Sequence, residues 1–254
     1  MDTRLAAAPV VLDLARALDG VLVGLYVGGS LATGDYHPGI SDIDAVALLD
    51  RSPTLATRAM LIETHGRLVR DAEGGSALHC VYVPDDDTVD PAHKHWTWAF
   101  GELYRRPLSG IARAELLADP VVVVGPPPSD WLPPMDVVDI AEAARAELAG
   151  YWTQALRKQA IWLQDLYVDL GLMVLARADA TIREGRLITK AEALGRMATL
   201  GVPASLVAEV AQRRNGEQVD LDDGQRQRRA AYVRQFLTGE VARLLTASVR
   251  SASE

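Results

Sequence analysis

The residues best suited to chemistry are Asp42 and Asp44, which stand at the start of an apolar run, twelve residues after Ser30 in Gly28-Gly29-Ser30. Side chains two apart on an extended segment point to one face, with Cα atoms about 6–7 Å apart, so the two carboxylates can converge on one hard cation. Magnesium takes one or two carboxylates and completes its octahedron with water and phosphate oxygens, a demand this pair can meet. Upstream, the apolar run 21–27 delivers the chain into Gly28-Gly29-Ser30. Backbone N–H groups and a hydroxyl at the start of the following turn or helix suit phosphate oxygens. Each half alone has an ordinary explanation, a tight Gly-Gly-Ser turn or aspartates at a solvated strand end. Linked at this spacing, they read as one site for phosphate and metal.

The elements that must position them follow from periodicity. Short apolar runs at 21–27, 43–49, 78–83 and 121–124, bounded by Gly, Pro and Asp, read as strands. Residues 6–18 and 54–70 carry apolar side chains at helical spacing, the second after Ser52-Pro53, a favourable helix entry. Five prolines between Pro126 and Pro134 exclude an ordinary helix and mark a boundary. Beyond it, 136–150, 151–183, 190–200 and 222–245 are helical in pattern, with Thr189 and Asp222 placed to cap. The predicted architecture is α/β + α: a mixed-sheet domain over 1–130 and a helical bundle over 131–254.

Composition narrows the function. A chain of 254 residues that is 49% apolar and 24% charged is a folded globular protein. No apolar run reaches the ~18–20 residues that span a bilayer, and Met1-Asp2-Thr3-Arg4 does not open a signal peptide, so a cytoplasmic location is expected. Cys80 is the single cysteine, which forbids an internal disulfide or a Cys-rich zinc site and fits a reducing compartment. A net charge of −8 argues against nucleic acid and anionic membrane as partners. That charge is uneven: residues 1–130 hold 10 basic and 18 acidic side chains, and 131–254 hold 16 of each. Oligomeric state is open.

The segment from Gly28 to Leu49 resembles the nucleotidyltransferase superfamily, whose pattern is Gly-Ser, about ten residues, then Asp-x-Asp on a strand. It is similar in particular to the streptomycin/spectinomycin (aminoglycoside) adenylyltransferases. Phe100-Gly101-Glu102, 122–126, Leu175-Ala176-Arg177, 185–190 and 212–216 fall in order where that family has its later blocks. The resemblance implies that Asp42 and Asp44 hold Mg2+, that Gly29 and Ser30 bind ATP phosphates, and that a helical domain closes over nucleotide and acceptor. Arg177 and Lys190 would be its cations, placed to neutralise departing pyrophosphate.

Departures from the family bear on mechanism and acceptor. Where the family has a third carboxylate as base, this chain has His79, whose neutral imidazole can accept a proton at pH 7 but ligates Mg2+ poorly. Asp85, Asp86 and Asp87 follow that strand, more in the manner of an exposed turn. Cys80 should point to the opposite face, into the core. His93 and His95 alternate with Trp96 and Trp98 but lack a third ligand nearby in sequence for zinc. The family's drug-contacting Trp and Asp correspond to Leu103 and Tyr167, with Asp165 and Asp169 flanking the latter. The sequence is therefore read as an enzyme, an Mg2+-dependent adenylyltransferase acting on a hydroxyl of a small-molecule acceptor. A catalytically impaired regulatory protein that binds nucleotide, and AMP transfer to a protein hydroxyl, stand beside it.

Overall fold

Alternating Val, Leu and Ala positions build the first part of the chain into a sheet. The structure is a computed structural model that describes residues 2–246. Its first unit, Met1–Pro134, contains α1 (Val10–Ala17), β1 (Leu22–Val27), α2 (Gly29–Ala32), β2 (Ile43–Leu49), α3 (Leu55–Asp71), β3 (Leu78–Pro84), β4 (Lys94–Ala99), β5 (Glu102–Pro107), α4 (Gly110–Ala118) and β6 (Val121–Val124). The strands lie in the order β5-β4-β3-β2-β1-β6. Only β2 and β3 run parallel; every other neighbouring pair is antiparallel.

Because strand side chains alternate, each strand feeds two cores. Leu25, Val27, Ile43, Ala45, Ala47, Leu78, Cys80 and Tyr82 join α1 and α3 in one cluster. Tyr26, Val46, Leu48, Val81 and Val83 join Leu108, Leu116 and Leu132 in the other. Cys80 is thus in the core, as its strand parity predicts. The Trp131 ring lies tilted against Tyr26, centroids 5.3 Å apart, and Leu132 is buried in the second cluster. The division between units accordingly falls after Pro134 rather than at 130/131.

Local details depart from the periodicity where a single residue overrides it. The expected helix over 6–18 begins at Val10, because Pro9 takes the N-cap, and residues Thr3–Ala7 form a separate 3₁₀ turn capped by Asp2. Strands β4 and β5 were not predicted; β5 is a sheet edge written Glu-Leu-Tyr-Arg-Arg-Pro, whose charges hide a strand pattern while discouraging edge pairing. Thr54 caps α3, its hydroxyl accepting from the Thr57 N–H.

The second unit, Met135–Glu254, is helical: α5 (Val137–Glu147), α6 (Thr153–Ala155), α7 (Asp165–Glu184), α8 (Lys190–Thr199), α9 (Ala204–Arg214) and α10 (Asp223–Leu245). Asp136, Thr189 and Asp222 each head a capping box. The helices expected over 136–150 and 151–183 run together through a π turn at Leu148–Trp152, a first irregularity, and the latter is broken by a second, a 3₁₀ turn at Gln159–Leu163. The second break seats Trp162 in the core, its indole N–H donating to the Ala155 carbonyl at 3.2 Å. Gly171 on α7 permits that packing, since a Cβ there would lie 2.8 Å from Leu237 and 2.9 Å from Trp162. No helix among the described residues is long and apolar enough to cross a membrane.

Candidate active site

Sheet topology gathers the motif halves. Antiparallel β1 ends where β2 begins, with Val27 opposite Ala45, and parallel β3 begins beside the same point, with Asp44 opposite His79. The end of β1, the start of β2 and the start of β3 therefore converge. Asp42 and Asp44 are exposed between buried Ser41, Ile43 and Ala45, so they share the face that continues into Val46 and Leu48. His79 lies on that same face, in line with Val81 and Val83.

The glycine turn abuts the second aspartate directly. Gly28 N–H donates to the Asp44 carbonyl at 2.9 Å, closing the ladder at the turn. Gly29 sits at φ +59°, and a Cβ on it would lie 2.8 Å from Asp44 Oδ2. A side chain at this position would press on the carboxylate, and the left-handed backbone also favours glycine. Ser30 follows in the four-residue α2 and is largely buried.

The eleven residues between Ser30 and Asp42 form a pinned loop. Asp35 N–H donates to the Ser30 carbonyl at 2.9 Å, His37 N–H to Ser41 Oγ at 3.1 Å, and Ser41 N–H back to the His37 carbonyl at 2.9 Å. Ser41 is buried, which fixes the chain immediately before Asp42. A cleft of about 360 Å³ flanks Asp42, lined also by Tyr36, Ser41, Glu73 and Gly74. Burial, aided by the charges of Glu73 and Asp42, pushes the Tyr36 hydroxyl above its ordinary value.

His79 is 6% exposed and meets the ring of Phe100 edge-on, centroids 4.7 Å apart. Phe100 did not stand out in the sequence beyond its Phe-Gly-Glu block. It is 76% exposed and takes φ +55° in the hairpin turn before Gly101, a conformation costly for a bulky side chain. An exposed aromatic held in a strained turn beside the aspartate-bearing face is a surface on which a ring could pack. Behind His79, buried His65 contacts the Tyr82 hydroxyl through Nε2 and stacks on Trp98 at 4.7 Å. Burial, then the neighbouring His79, holds the His65 imidazole down at about 3.

In the helical unit, Arg177 lies against the turn that leads into Lys190. Arg177 Nε donates to the Ile188 carbonyl at 2.9 Å, two residues before Lys190, the first residue of α8. Gly185 caps α7 at φ +66°, turning the chain towards that helix. Both cations are half-buried. Asp165 and Asp169, which flank Tyr167, face arginines instead: Arg213 donates from Nε and Nη2 to Asp169 at 2.8 and 2.7 Å, and Arg226 and Arg229 hold Asp165. Neither carboxylate is spare for a cationic acceptor.

Residues 11–72, which include the Gly-Ser turn and both aspartates, match the nucleotidyltransferase domain family. Among solved structures, the chain is similar to the spectinomycin adenyltransferase AAD(9) from Enterococcus faecialis, determined with ATP and spectinomycin. The TM-score is 0.67 at 15% identity, over 92% of this chain and 98% of that one. No curated protein sequence matches. The resemblance read from the motifs and the expected α/β + α architecture both hold, and the chain carries a nucleotidyltransferase domain at its amino end.

Proposed function

We propose that the protein transfers AMP from ATP to a hydroxyl of a small molecule, with Mg2+ held by Asp42 and Asp44. The observation that carries this reading is the unneutralised pair itself. Asp42 and Asp44 are exposed on one face, and Asp44 lies against a glycine whose missing side chain leaves the carboxylate room. Two hard oxygen donors with no cationic partner among the described residues fit a magnesium ion shared with phosphate oxygens. When bound, the ion would supply charge neutralisation and alignment at the α-phosphate.

The chain's own residues account for the remaining demands. The turn at Gly29 and Ser30 offers backbone N–H groups and a hydroxyl to the polyphosphate. His79 accepts the proton from the acceptor hydroxyl as its oxygen bonds to the α-phosphorus and pyrophosphate leaves. The helical unit contributes Arg177 and Lys190, whose charge suits the leaving group. The structural neighbour was determined with ATP and spectinomycin; an aminocyclitol or aminoglycoside acceptor is the first class to test here, drawn by the acidic first half. Phe100 provides an apolar surface beside His79 for such a ring.

The test is pyrophosphate release from ATP over a panel of hydroxyl acceptors, with and without Mg2+. Turnover should require the metal and fall on the order of a thousandfold in Asp42→Asn and Asp44→Asn. Retention of full Mg2+-dependent AMP transfer by Asp42→Asn would falsify the assignment. His79→Ala should lower kcat with little change in KM for ATP, and a large gain in His79→Glu would show that the imidazole is a weak base in this position.

A further inference from the structure

A cluster of side chains with metal-ligating atoms lies at the other end of β3, where β3 ends and β4 begins. Asp87, His93 and His95 bring one carboxylate oxygen and two imidazole nitrogens within 4.8 Å of one another. Asp87 Oδ2 is already 2.9 Å from His93 Nε2, and the two imidazole rings are 5.0 Å apart. The third ligand missing from the sequence comes from the β3–β4 connection, which folds back so that a residue six positions before His93 reaches it.

His95 supplies the independent sign of a ligand. It is 2% exposed, yet neither ring nitrogen has a hydrogen-bond partner among the described residues. Buried imidazoles normally satisfy at least one nitrogen, and one left bare beside a second imidazole and a carboxylate is arranged as a ligand would be. Its surroundings are built to hold the connection still. The guanidinium of Arg113, itself buried, donates to the carbonyls of Leu108, Thr88 and Asp90, tying the segment after Asp87 to the start of α4.

We propose that Asp87, His93 and His95 bind one zinc ion, or a first-row divalent ion of similar preference, which staples the β3–β4 connection to β4. Two imidazoles and one carboxylate form a borderline nitrogen and oxygen set, and three protein ligands leave the fourth tetrahedral position to water. Ligand bonds of about 2.0–2.2 Å place tetrahedral ligand atoms roughly 3.3–3.6 Å apart, so the cluster needs only side-chain adjustment to close. Among the described residues Arg105 must yield, because its Nη2 lies 3.1 Å from His93 Nε2; the same guanidinium also donates to the Lys94 carbonyl and keeps that partner.

The experiment uses the full chain, stripped with a chelator, titrated with Zn2+ against a chromophoric competitor. An Asp42→Asn, Asp44→Asn background removes the other candidate metal-binding pair. One zinc per chain should bind in that background and raise Tm, and Co2+ loading should give the intense visible absorption of a four-coordinate ion. Asp87→Asn and His93→Ala change partly exposed side chains, so their metal-free Tm and circular dichroism should match the parent while affinity falls about a hundredfold. Absence of stoichiometric zinc binding in the parent overturns the proposal. So does binding that survives both substitutions unchanged.

Discussion

In the sheet unit, Asp42 and Asp44 stand exposed with no ion pair among the described residues, whereas in the helical unit Asp165, Asp169 and Asp179 all lie against arginines. The same side chain serves two purposes. In the helical unit these three aspartates are neutralised internally, in keeping with 16 basic and 16 acidic residues over 131–254. In the sheet unit charge is left over, in keeping with 10 basic against 18 acidic residues over 1–130, and two of the carboxylates with no ion pair among the described residues are aligned on one face beside a glycine turn. A pair without a counter-ion inside the protein is open to one from solution; a paired carboxylate is already spent on structure.

The contrast breaks most sharply under one substitution made twice. Asp179 has a side chain only 3% exposed, bonded to Arg183 at 2.7 Å and to Arg196. Asp179→Asn leaves two arginines facing a buried amide and should destabilise the protein by about 3–5 kcal/mol in urea unfolding. Asp44→Asn should change stability by no more than about 0.5 kcal/mol while removing AMP transfer. If both variants lost stability equally, Asp44 would be structural and the division of labour would fail.

Acid separates the units next. His65 is fully buried, with its imidazole held at about 3 by burial and by His79, against an ordinary value near 6.5. Between those values the unfolded chain binds a proton that the folded chain refuses, so His65's share of the stability is complete above about pH 6.5. It is lost as pH falls, by about 1.4 kcal/mol per unit until the folded value is reached. His65→Gln, compared with the parent by urea unfolding at pH 6.5 and 5, should flatten this dependence by about 2 kcal/mol over the interval. Equal slopes would mean that His65 is protonated in the folded protein.

Gly29→Ala tests the contact that joins the two motif halves. The αL backbone costs an alanine about 1–2 kcal/mol, and the new methyl would stand 2.8 Å from Asp44 Oδ2. Stability should fall by about that amount, and turnover by at least about tenfold as the carboxylate is displaced. A variant with the stability loss and full activity would show that Asp44 need not hold its position.

What could be read from the sequence follows the same division. Asp42, Asp44, Gly29 and Ser30 were legible because strand parity and glycine geometry are local rules, and the sheet had only to bring β1 and β2 side by side. His79 could be placed because β3 is an unbroken apolar run paired in register with β2. Phe100 and Asp87 were not, since their roles depend on a hairpin and a connection whose strands, β4 and β5, carry Lys, His and Arg and give weak periodicity. Asp165 and Asp169 also required the structure: their arginine partners lie 44 to 64 residues away, a distance no local pattern spans.

The smallest effect concerns Lys190. As the first residue of α8 it sits at the positive end of the helix dipole, behind a capping box in which the Glu192 carboxylate accepts from the Thr189 N–H and Thr189 Oγ1 accepts from the Glu192 N–H. A cation there is unfavourable by about 0.3–1 kcal/mol, so Lys190→Ala should leave Tm unchanged or slightly raised. Arg177 differs, because its Nε holds the Ile188 carbonyl and its loss would loosen the turn as well. A lysine at a position where it costs stability suits a ligand with negative charge, which under the proposed function is the triphosphate. Lys190→Ala should therefore raise KM for ATP about tenfold at unchanged stability. If KM does not move, Lys190 is only an unfavourable surface charge, and the cations that meet pyrophosphate must be sought elsewhere.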